Sequence, residues 1–361
     1  MSKSNILRHI PSAIAKIHRQ ILPIKASGSW ITDINYTRYL DLTSGIGALS
    51  TGHSHPYIIN KVKKQLTQLV HIPQQVFQSH PPQISLTNKL LDIMPCQSLD
   101  NIFYVNSGSE ATDNALKIAR NYTQKTNIIS MNRGFHGRTI GALSVTSSNI
   151  ACKFKLQPLM SGVFCCPNFT KDSLDEILTY HTSPDETAAI ILEPIQGESG
   201  IISIPEDFME YVQKICRKHN MMFITDEVQC GSGRTGTWWN VTQKNVVPDI
   251  MTFGKGIASG FPLAGVVSRT DIMDNISMGS LGGTYGGNAI ASMAASATID
   301  VIKNENLLDN TNTMGDMIYQ ELKNMENIKE IRQHGLMIAI DFGNDSGKTS
   351  KKIIEKLRDN G

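Results

Sequence analysis

Short apolar runs alternate with segments of helical periodicity over most of the 361-residue chain, which limits the folds open to it. The runs resemble strands buried on both faces, because they are apolar almost throughout. They are residues 101–106, 127–131, 188–194, 221–228, 249–255 and 263–268. Helical patterns at 111–122 and 206–219 lie between them, so the sequence predicts an α/β fold with a largely parallel sheet covered by helices. Only a glycine-rich turn separates the last two runs, so that pair can also be antiparallel.

The rest of the chain adds helices and one strand to this sheet. An alanine-rich helix is expected at about 289–303, followed by a helix, a strand around 336–342 and the start of a final helix. At the other end, residues 1–32 carry five basic side chains and no acid, with apolar residues at near-helical spacing. That pattern is typical of a transit peptide or of an N-terminal helix that packs on the body.

Composition restricts the class of partner. With 34 basic and 32 acidic side chains, the chain has no global field to recruit nucleic acid or an anionic membrane. No apolar stretch approaches the roughly 20 residues of a membrane helix. Six scattered cysteines favour free thiols in a reducing compartment. We therefore expect a small-molecule partner and a cytoplasmic protein, with a mitochondrial location as the alternative.

Three local motifs carry candidate chemistry, and the first is "NSGSEATDNALKIAR" at 106–120. It follows a strand and opens a helix, and Ser107 and Glu110 have capping-box spacing. Gly108 lets the backbone approach an anion such as a phosphate at the helix N-terminus. An ordinary capped helix fits the same residues.

The other two motifs lie at the ends of predicted strands. Asp226 and Glu227 follow an apolar run, where a carboxylate can hold a proton on a cationic ring nitrogen or simply face solvent. Lys255 also ends a run, and desolvation there would lower its pKa and make the amine a nucleophile able to form a Schiff base with an aldehyde. Gly254 and Gly256 would leave room for that aldehyde, although a lysine reaching solvent is the simpler alternative. An anion cradle, a carboxylate and an amine are together what pyridoxal phosphate requires of a protein.

With these motifs, the chain resembles the class III, fold type I, pyridoxal-phosphate-dependent aminotransferases, the group of 4-aminobutyrate, ornithine and acetylornithine aminotransferases. The resemblance runs from "HIPSAIAK" through "GFHGRTIGALSVT", "ILEPIQGESG", "ITDEVQCGSGRTG", "FGKGIASGFPLAG" and "GGTYGGNAIA" to "HGLMIAIDF". It implies a mostly parallel central sheet with helices on both faces plus a smaller α+β domain. The implied division is a small-domain N-terminal segment at 1–45, a large cofactor domain at 46–300 and an incomplete C-terminal small domain at 301–361.

The resemblance also implies the site. Around pyridoxal 5'-phosphate it places Gly108 and Ser109 at the phosphate, Phe135 and Val228 on the two ring faces, Asp226 at the ring nitrogen, Gln229 at the 3-hydroxyl and Lys255 at the Schiff base and proton shuttle. Thr284 would reach the phosphate of a partner subunit, which implies a homodimer.

For the substrate, the resemblance implies that Arg138 binds a carboxylate and that Ile46 lines the pocket. Family members continue beyond the position of Gly361 and carry an arginine that pairs with the glutamate matching Glu198. We therefore expect Glu198 to be unpaired and 2-oxoglutarate to gain little over pyruvate as acceptor.

The leading hypothesis is transfer of an amino group from an omega-amino acid, 4-aminobutyrate above all, to 2-oxoglutarate. The alternatives are an acetylornithine or ornithine aminotransferase, an amino-acid racemase or epimerase using the same cofactor, and a truncated relative with little or no activity. "GSGRTG" at 231–236 matches a dinucleotide motif only weakly, because no helix pattern follows it. "GHSHP" at 52–56 is more typical of a turn than of a metal site, so no metal is expected.

Overall fold

A computed structural model describes residues 11, 13–14, 20–343 and 346–360. Its strands are β1 (Pro23–Ser27), β2 (Trp30–Asp33), β3 (Arg38–Leu40), β4 (Asn101–Val105), β5 (Asn127–Met131), β6 (Val163–Cys166), β7 (Thr187–Leu192), β8 (Ile195–Gln196), β9 (Ile202–Ser203), β10 (Met222–Asp226), β11 (Ile250–Phe253), β12 (Ala264–Ser268), β13 (Glu330–His334) and β14 (Met337–Asp341). Its helices are α1 (Pro56–Leu66), α2 (Pro81–Leu91), α3 (Gly108–Thr123), α4 (Ile140–Val145), α5 (Lys171–Tyr180), α6 (Glu206–Lys218), α7 (Thr270–Met273), α8 (Ala289–Asn304), α9 (Leu307–Leu322) and α10 (Ser346–Asn360). Shorter helical turns lie at Ser44–Gly47, Ile150–Cys152, Asn240–Gln243 and Lys255–Ala258.

Seven strands form the central sheet in the order β4-β12-β11-β10-β7-β5-β6. Neighbouring strands are parallel except at β12, which runs antiparallel to both β11 and β4. The predicted α/β class and the antiparallel alternative for the last pair are therefore both confirmed.

Both faces of this sheet are buried. Along β7, Ile190 and Leu192 pack in one apolar cluster with Phe208 of α6. The alternate residues, Ala189 and Ile191, pack in a second cluster that contains Ala115, Ile118 and other residues of α3. Because side chains alternate along a strand, α3 and α6 cover opposite faces. This double burial explains why the strands are apolar throughout rather than at every second residue.

All six predicted strands and the helices predicted at 111–122, 206–219 and 289–303 are present, with ends shifted by a few residues. The later elements are also confirmed as α9, β14 and α10. The sequence analysis did not identify β6, β13 or the three-stranded antiparallel sheet β1-β2-β3. The division into domains stays a prediction.

Residues 1–10, 12 and 15–19 lie outside the described residues, and with them most of the basic N-terminal segment. Within the part that is described, no helix is long and apolar enough to cross a membrane. The six cysteines are free thiols, of which Cys166, Cys216 and Cys230 are buried.

Candidate functional site

The three motifs meet at the carboxyl edge of the sheet, where ligands of open α/β sheets collect. Strands β10 and β11 are parallel neighbours, with Asp226 beside Thr252, and β4 leads directly into α3. The side chain of Val228 lies between the motifs. A Cβ placed on Gly108 would lie 2.7 Å from Cγ1 of Val228, and one on Gly254 would lie 3.6 Å from the same atom. The start of α3, the loop after β10 and the turn after β11 are therefore in contact.

The N-terminus of α3 has the predicted capping box. The Glu110 amide donates to Oγ of Ser107 at 3.3 Å, and the Ser107 amide donates to Oε2 of Glu110 at 3.2 Å. A helix leaves its first N–H groups without intrahelical acceptors. The box uses the third of them, so the amides of Gly108 and Ser109 remain for solvent or for an anion, which the helix dipole also favours.

Asp226 is buried at the end of β10 and is held by three donors. His136 donates through Nδ1 to Oδ2 at 2.8 Å, and the Thr252 hydroxyl and the Val228 amide each donate to Oδ1 at 3.1 Å. The carboxylate is thus fixed in orientation and is not the exposed acid of the simpler alternative.

His136 is a residue that the sequence analysis missed. Burial alone would lower the pKa of its imidazole, but the hydrogen bond and charge of Asp226, together with the charge of Glu193, raise it above the ordinary value. Its Nε2 is buried and has no hydrogen-bond partner among the described residues. The only signal in the sequence was its position beside Phe135.

Lys255 lies in the turn after β11 with a backbone φ of +44°, a strained value for a residue with a Cβ. Burial lowers the pKa of its amine, although the charges of Asp226, Glu193 and Glu198 oppose that shift. Its amine makes no hydrogen bond to any other residue that the structure describes. The amine is therefore closer to its neutral, nucleophilic form than an exposed lysine is.

The sequence analysis expected Gly254 and Gly256 to leave room for an aldehyde, but in the structure both face other protein atoms. A Cβ on Gly256 would collide with the hydroxyl oxygen of Ser50. On the other side, a Cβ on Gly254 would lie 3.2 Å from the Cβ of Ala264. The glycines thus allow the lysine turn to pack closely against the protein itself.

Phe135 and Arg138 lie on the loop before α4. The Phe135 amide donates to Oε1 of Glu193 at 2.8 Å, and the Arg138 guanidinium lies 5.2 Å from the centre of the Phe135 ring. The Arg138 amide donates to Oγ of Ser109 at 3.1 Å, which joins this loop to the start of α3. Burial raises the pKa of Glu193, another residue the sequence analysis missed, to about 7.

The remaining candidates lie around this cluster. Gln229 packs against Gly197, which precedes the exposed Glu198. Ile46 is 68% exposed, and Thr284 is exposed on the loop before α8. Neither Glu198 nor Thr284 makes a side-chain hydrogen bond or ion pair with another residue in the described ranges.

Two weaker motifs have structural explanations. "GSGRTG" is followed by the turn Asn240–Gln243 and not by the long helix of a dinucleotide site. His53 pairs with Asp41 at 2.8 Å and His55 with Glu305 at 3.1 Å. The described residues contain no cluster of side chains suited to a metal ion.

Comparison with known proteins agrees with this geometry. The profile of the class-III aminotransferase family matches residues 13–361. A probable 4-aminobutyrate aminotransferase of Bacillus subtilis is 34% identical over 345 residues, which cover 90% of this chain and 79% of that protein. An alanine/serine racemase of Pyrococcus horikoshii is 34% identical over 364 residues, covering 93% and 76% of the two chains. Among solved structures, a transaminase from the marine bacterium Virgibacillus superposes with a TM-score of 0.91 at 28% identity, covering 98% of this chain and 88% of that one.

Proposed function

We propose, since the chain belongs to the class III aminotransferases, that it moves an amino group from an omega-amino acid to a 2-oxo acid. The leading amino donor is 4-aminobutyrate, and the acceptor is a 2-oxo acid such as 2-oxoglutarate. The observation that carries this proposal is the Lys255 amine, whose pKa burial lowers and whose strained turn adjoins the loop that follows Asp226.

Class III aminotransferases depend on pyridoxal phosphate, and the residues of this site fit that group. The amides of Gly108 and Ser109 at the start of α3 would hold its phosphate. Asp226 would hold the ring nitrogen, and the amine of Lys255 would attach the carbonyl. When bound, the cofactor supplies an electron sink for the carbon that bears the amino group.

The protein's own part is to position these groups and to move protons. The Lys255 amine takes the proton from the substrate carbon and would deliver it to the cofactor, a task suited to a base with a lowered pKa. The carboxylate of Asp226 would stabilise positive charge on the ring nitrogen of the cofactor. His136 holds that carboxylate in orientation through its hydrogen bond. Phe135 and Val228 would pack on the ring faces, and Gln229 would contact the 3-hydroxyl.

Arg138 is the proposed carboxylate-binding residue. Its guanidinium is exposed above Phe135, while its backbone is tied to Ser109, so the charge lies close to the start of α3. Ile46 would line the pocket and Glu198 would face the substrate. An omega-amino acid places its carboxylate several bonds from its amine, which suits an arginine at the mouth of the site.

The experiment incubates the purified chain and pyridoxal phosphate with 4-aminobutyrate, ornithine or N-acetylornithine and 2-oxoglutarate, and measures glutamate and the oxo product by mass spectrometry. Glutamate formed with 4-aminobutyrate supports the proposal. Glutamate formed only with ornithine or N-acetylornithine would make that compound the amino donor instead.

A racemase is the second candidate, because one relative is named an alanine/serine racemase. Chiral chromatography of L-alanine incubated without any oxo acid distinguishes it. D-alanine in this assay, with no glutamate in the transamination assay, would replace the transaminase proposal by a racemase. No product in either assay would favour a relative with little or no activity.

We expect Arg138→Lys to raise the KM for amino donors about tenfold or more, with kcat less affected. Lysine keeps the charge but loses the planar fork that binds a carboxylate through two hydrogen bonds, and such charge-assisted bonds contribute roughly 1.5–3 kcal/mol. The absorbance spectrum of the bound cofactor should stay unchanged. Arg133→Lys, an exposed arginine on the same loop, is the matched control, and an unchanged KM in Arg138→Lys would assign the carboxylate to another cation.

The homodimer implied by Thr284 is part of the proposal. Large apolar side chains are exposed around that loop: Val70, Val76, Phe77, Met278 and Tyr285. Several exposed large apolar side chains near one loop are consistent with a protein interface. Sedimentation velocity should therefore give twice the mass of the chain, and a monomer that turns over at full rate would contradict the dimer.

A further inference from the structure

The turn Ser44–Gly47 has an unusual backbone. Ser44, Gly45, Ile46 and Gly47 all have positive φ, at +51°, +62°, +61° and +75°. For a β-branched residue such as Ile46 this conformation is a genuine outlier, and it persists only where the surroundings impose it. The strained residue is also the one proposed to line the substrate pocket.

The side chain of Arg234 closes this turn. Its Nη2 donates to Oγ of Ser44 at 3.1 Å and, more weakly, to the carbonyl oxygen of Leu49 at 3.4 Å. The Ser44 hydroxyl in turn donates to the same Leu49 oxygen at 2.7 Å. One nitrogen of the guanidinium therefore bridges the first residue of the turn and the chain that leaves it.

Among the described residues, the Arg234 side chain has no other partner that would explain its position. Within the described ranges it forms no ion pair, and its Nε is buried without a hydrogen-bond partner. Burial lowers the pKa of this guanidinium. A buried arginine ordinarily pairs with a carboxylate. Among the described residues, Arg234 instead bonds only to a hydroxyl and a carbonyl oxygen, so we take these two contacts as the reason for its position.

The residues after the turn connect it to both catalytic loops. The Ser50 hydroxyl donates to the carbonyl oxygen of Ser232 at 2.9 Å, in the loop after β10. Thr51 and Ser259 share a hydroxyl hydrogen bond of 2.6 Å, and Ser259 lies in the turn that Lys255 begins. The turn is thus fixed relative to the lysine.

We propose that Arg234 is a positioning residue that holds the turn Ser44–Gly47 in its left-handed conformation and so places Ile46 against the amino donor. This inference rests on the proposed function, because it takes Ile46 as part of the substrate pocket. Arg234 acts on donor binding and selectivity, and not on the proton transfer at Lys255.

Hydrogen exchange of the full chain with bound pyridoxal phosphate tests the structural half. The amides of Gly47 and Leu49 are hydrogen bonded to the carbonyl oxygens of Thr43 and Ser44, each at 3.0 Å. In Arg234→Met these amides should exchange about tenfold faster, since loss of the hydrogen bonds from Arg234 to Ser44 and Leu49 lets the turn open locally. Arg217→Met, an exposed arginine at the end of α6, is the control and should leave them unchanged.

Steady-state kinetics tests the functional half. We expect Arg234→Met to raise the KM for the preferred donor about tenfold, to change kcat less than about threefold and to reduce discrimination between donors of different length. Ser44→Ala removes the contact with Arg234 and also the hydrogen bond from Ser44 to Leu49, so the double variant should lose less than the sum of the two single variants. Arg234→Lys, which keeps a donor, should recover part of the effect.

Unchanged exchange at Gly47 and Leu49 in both Arg234→Met and Ser44→Ala would overturn the proposal, as would a fall in kcat at constant KM. If Arg234→Met does not fold, Ser44→Ala decides both readouts by itself. If the unmodified chain transaminates no donor, the proposed function fails and with it the selectivity role, while the exchange measurement still decides whether Arg234 holds the turn.

Discussion

Lys255→Ala is expected to abolish turnover with every amino donor, a loss of at least about 10⁴-fold, because one amine serves as both the attachment point and the proton-transfer base. Borohydride treatment of the unmodified holoenzyme, followed by peptide mass spectrometry, should place the reduced cofactor on Lys255. The same treatment of the variant should give no adduct. The fold should survive, since the change removes an amine that forms no hydrogen bond to any described residue.

Lys125→Ala is the matched control. Burial lowers the pKa of Lys125 as well, but this lysine precedes β5 at the amino edge of the sheet and donates to the carbonyl oxygens of Pro184 and His219. A lysine with a lowered pKa that lies outside the site should contribute nothing to catalysis. Turnover and the reduced adduct on Lys255 should therefore be unchanged in Lys125→Ala. A reduced adduct on a lysine other than Lys255, or measurable turnover in Lys255→Ala, would contradict the assignment.

The sheet was predictable because burial on both faces makes its strands continuously apolar, as in β7, where all six residues are buried. Strand β6 escaped detection because it is a four-residue edge strand with an exposed Cys165. The sheet β1-β2-β3 escaped for a similar reason, since its strands are three to five residues long and mostly exposed. Short strands with little burial leave no periodic signal.

The same distinction applies to the site. Gly108, Asp226 and Lys255 could be proposed from their neighbours in sequence: a helix cap, a strand end and flanking glycines. The roles of His136 and Arg234 depend on contacts with residues 90 and 190 positions away in the chain. No local pattern specifies such contacts, so only the folded structure reveals them.

Asp226→Asn is expected to bind pyridoxal phosphate yet to turn over about 10²–10³-fold more slowly. The amide oxygen can keep accepting from Thr252 and Val228, and the amide nitrogen can donate to Nδ1 of a neutral His136, so the geometry is retained. What is lost is the negative charge that would keep the ring nitrogen protonated, and preorganised charge is commonly the largest single contribution to a rate. The pKa of His136 should also fall, because the hydrogen bond and charge of Asp226, together with the charge of Glu193, raise it against burial. Single-turnover absorbance measures the rate, and NMR titration of His136 measures the pKa.

Glu227→Gln is the control for this change, since Glu227 is the next residue and is equally buried but faces other partners. It accepts from the amides of Asn240 and Val241 at 3.0 and 2.6 Å and from the thiol of Cys230 at 3.0 Å, and burial raises its pKa to about 7. An amide cannot accept all of these hydrogen bonds, so the variant should lose about 1–3 kcal/mol of stability in chemical denaturation. Its single-turnover rate should stay within about threefold of the unmodified chain, because the structure gives Glu227 no contact with His136 or Lys255. Near-normal turnover in Asp226→Asn would contradict a role for this carboxylate in the rate. An equal loss in Glu227→Gln would assign the effect to buried charge in this loop and not to Asp226 itself.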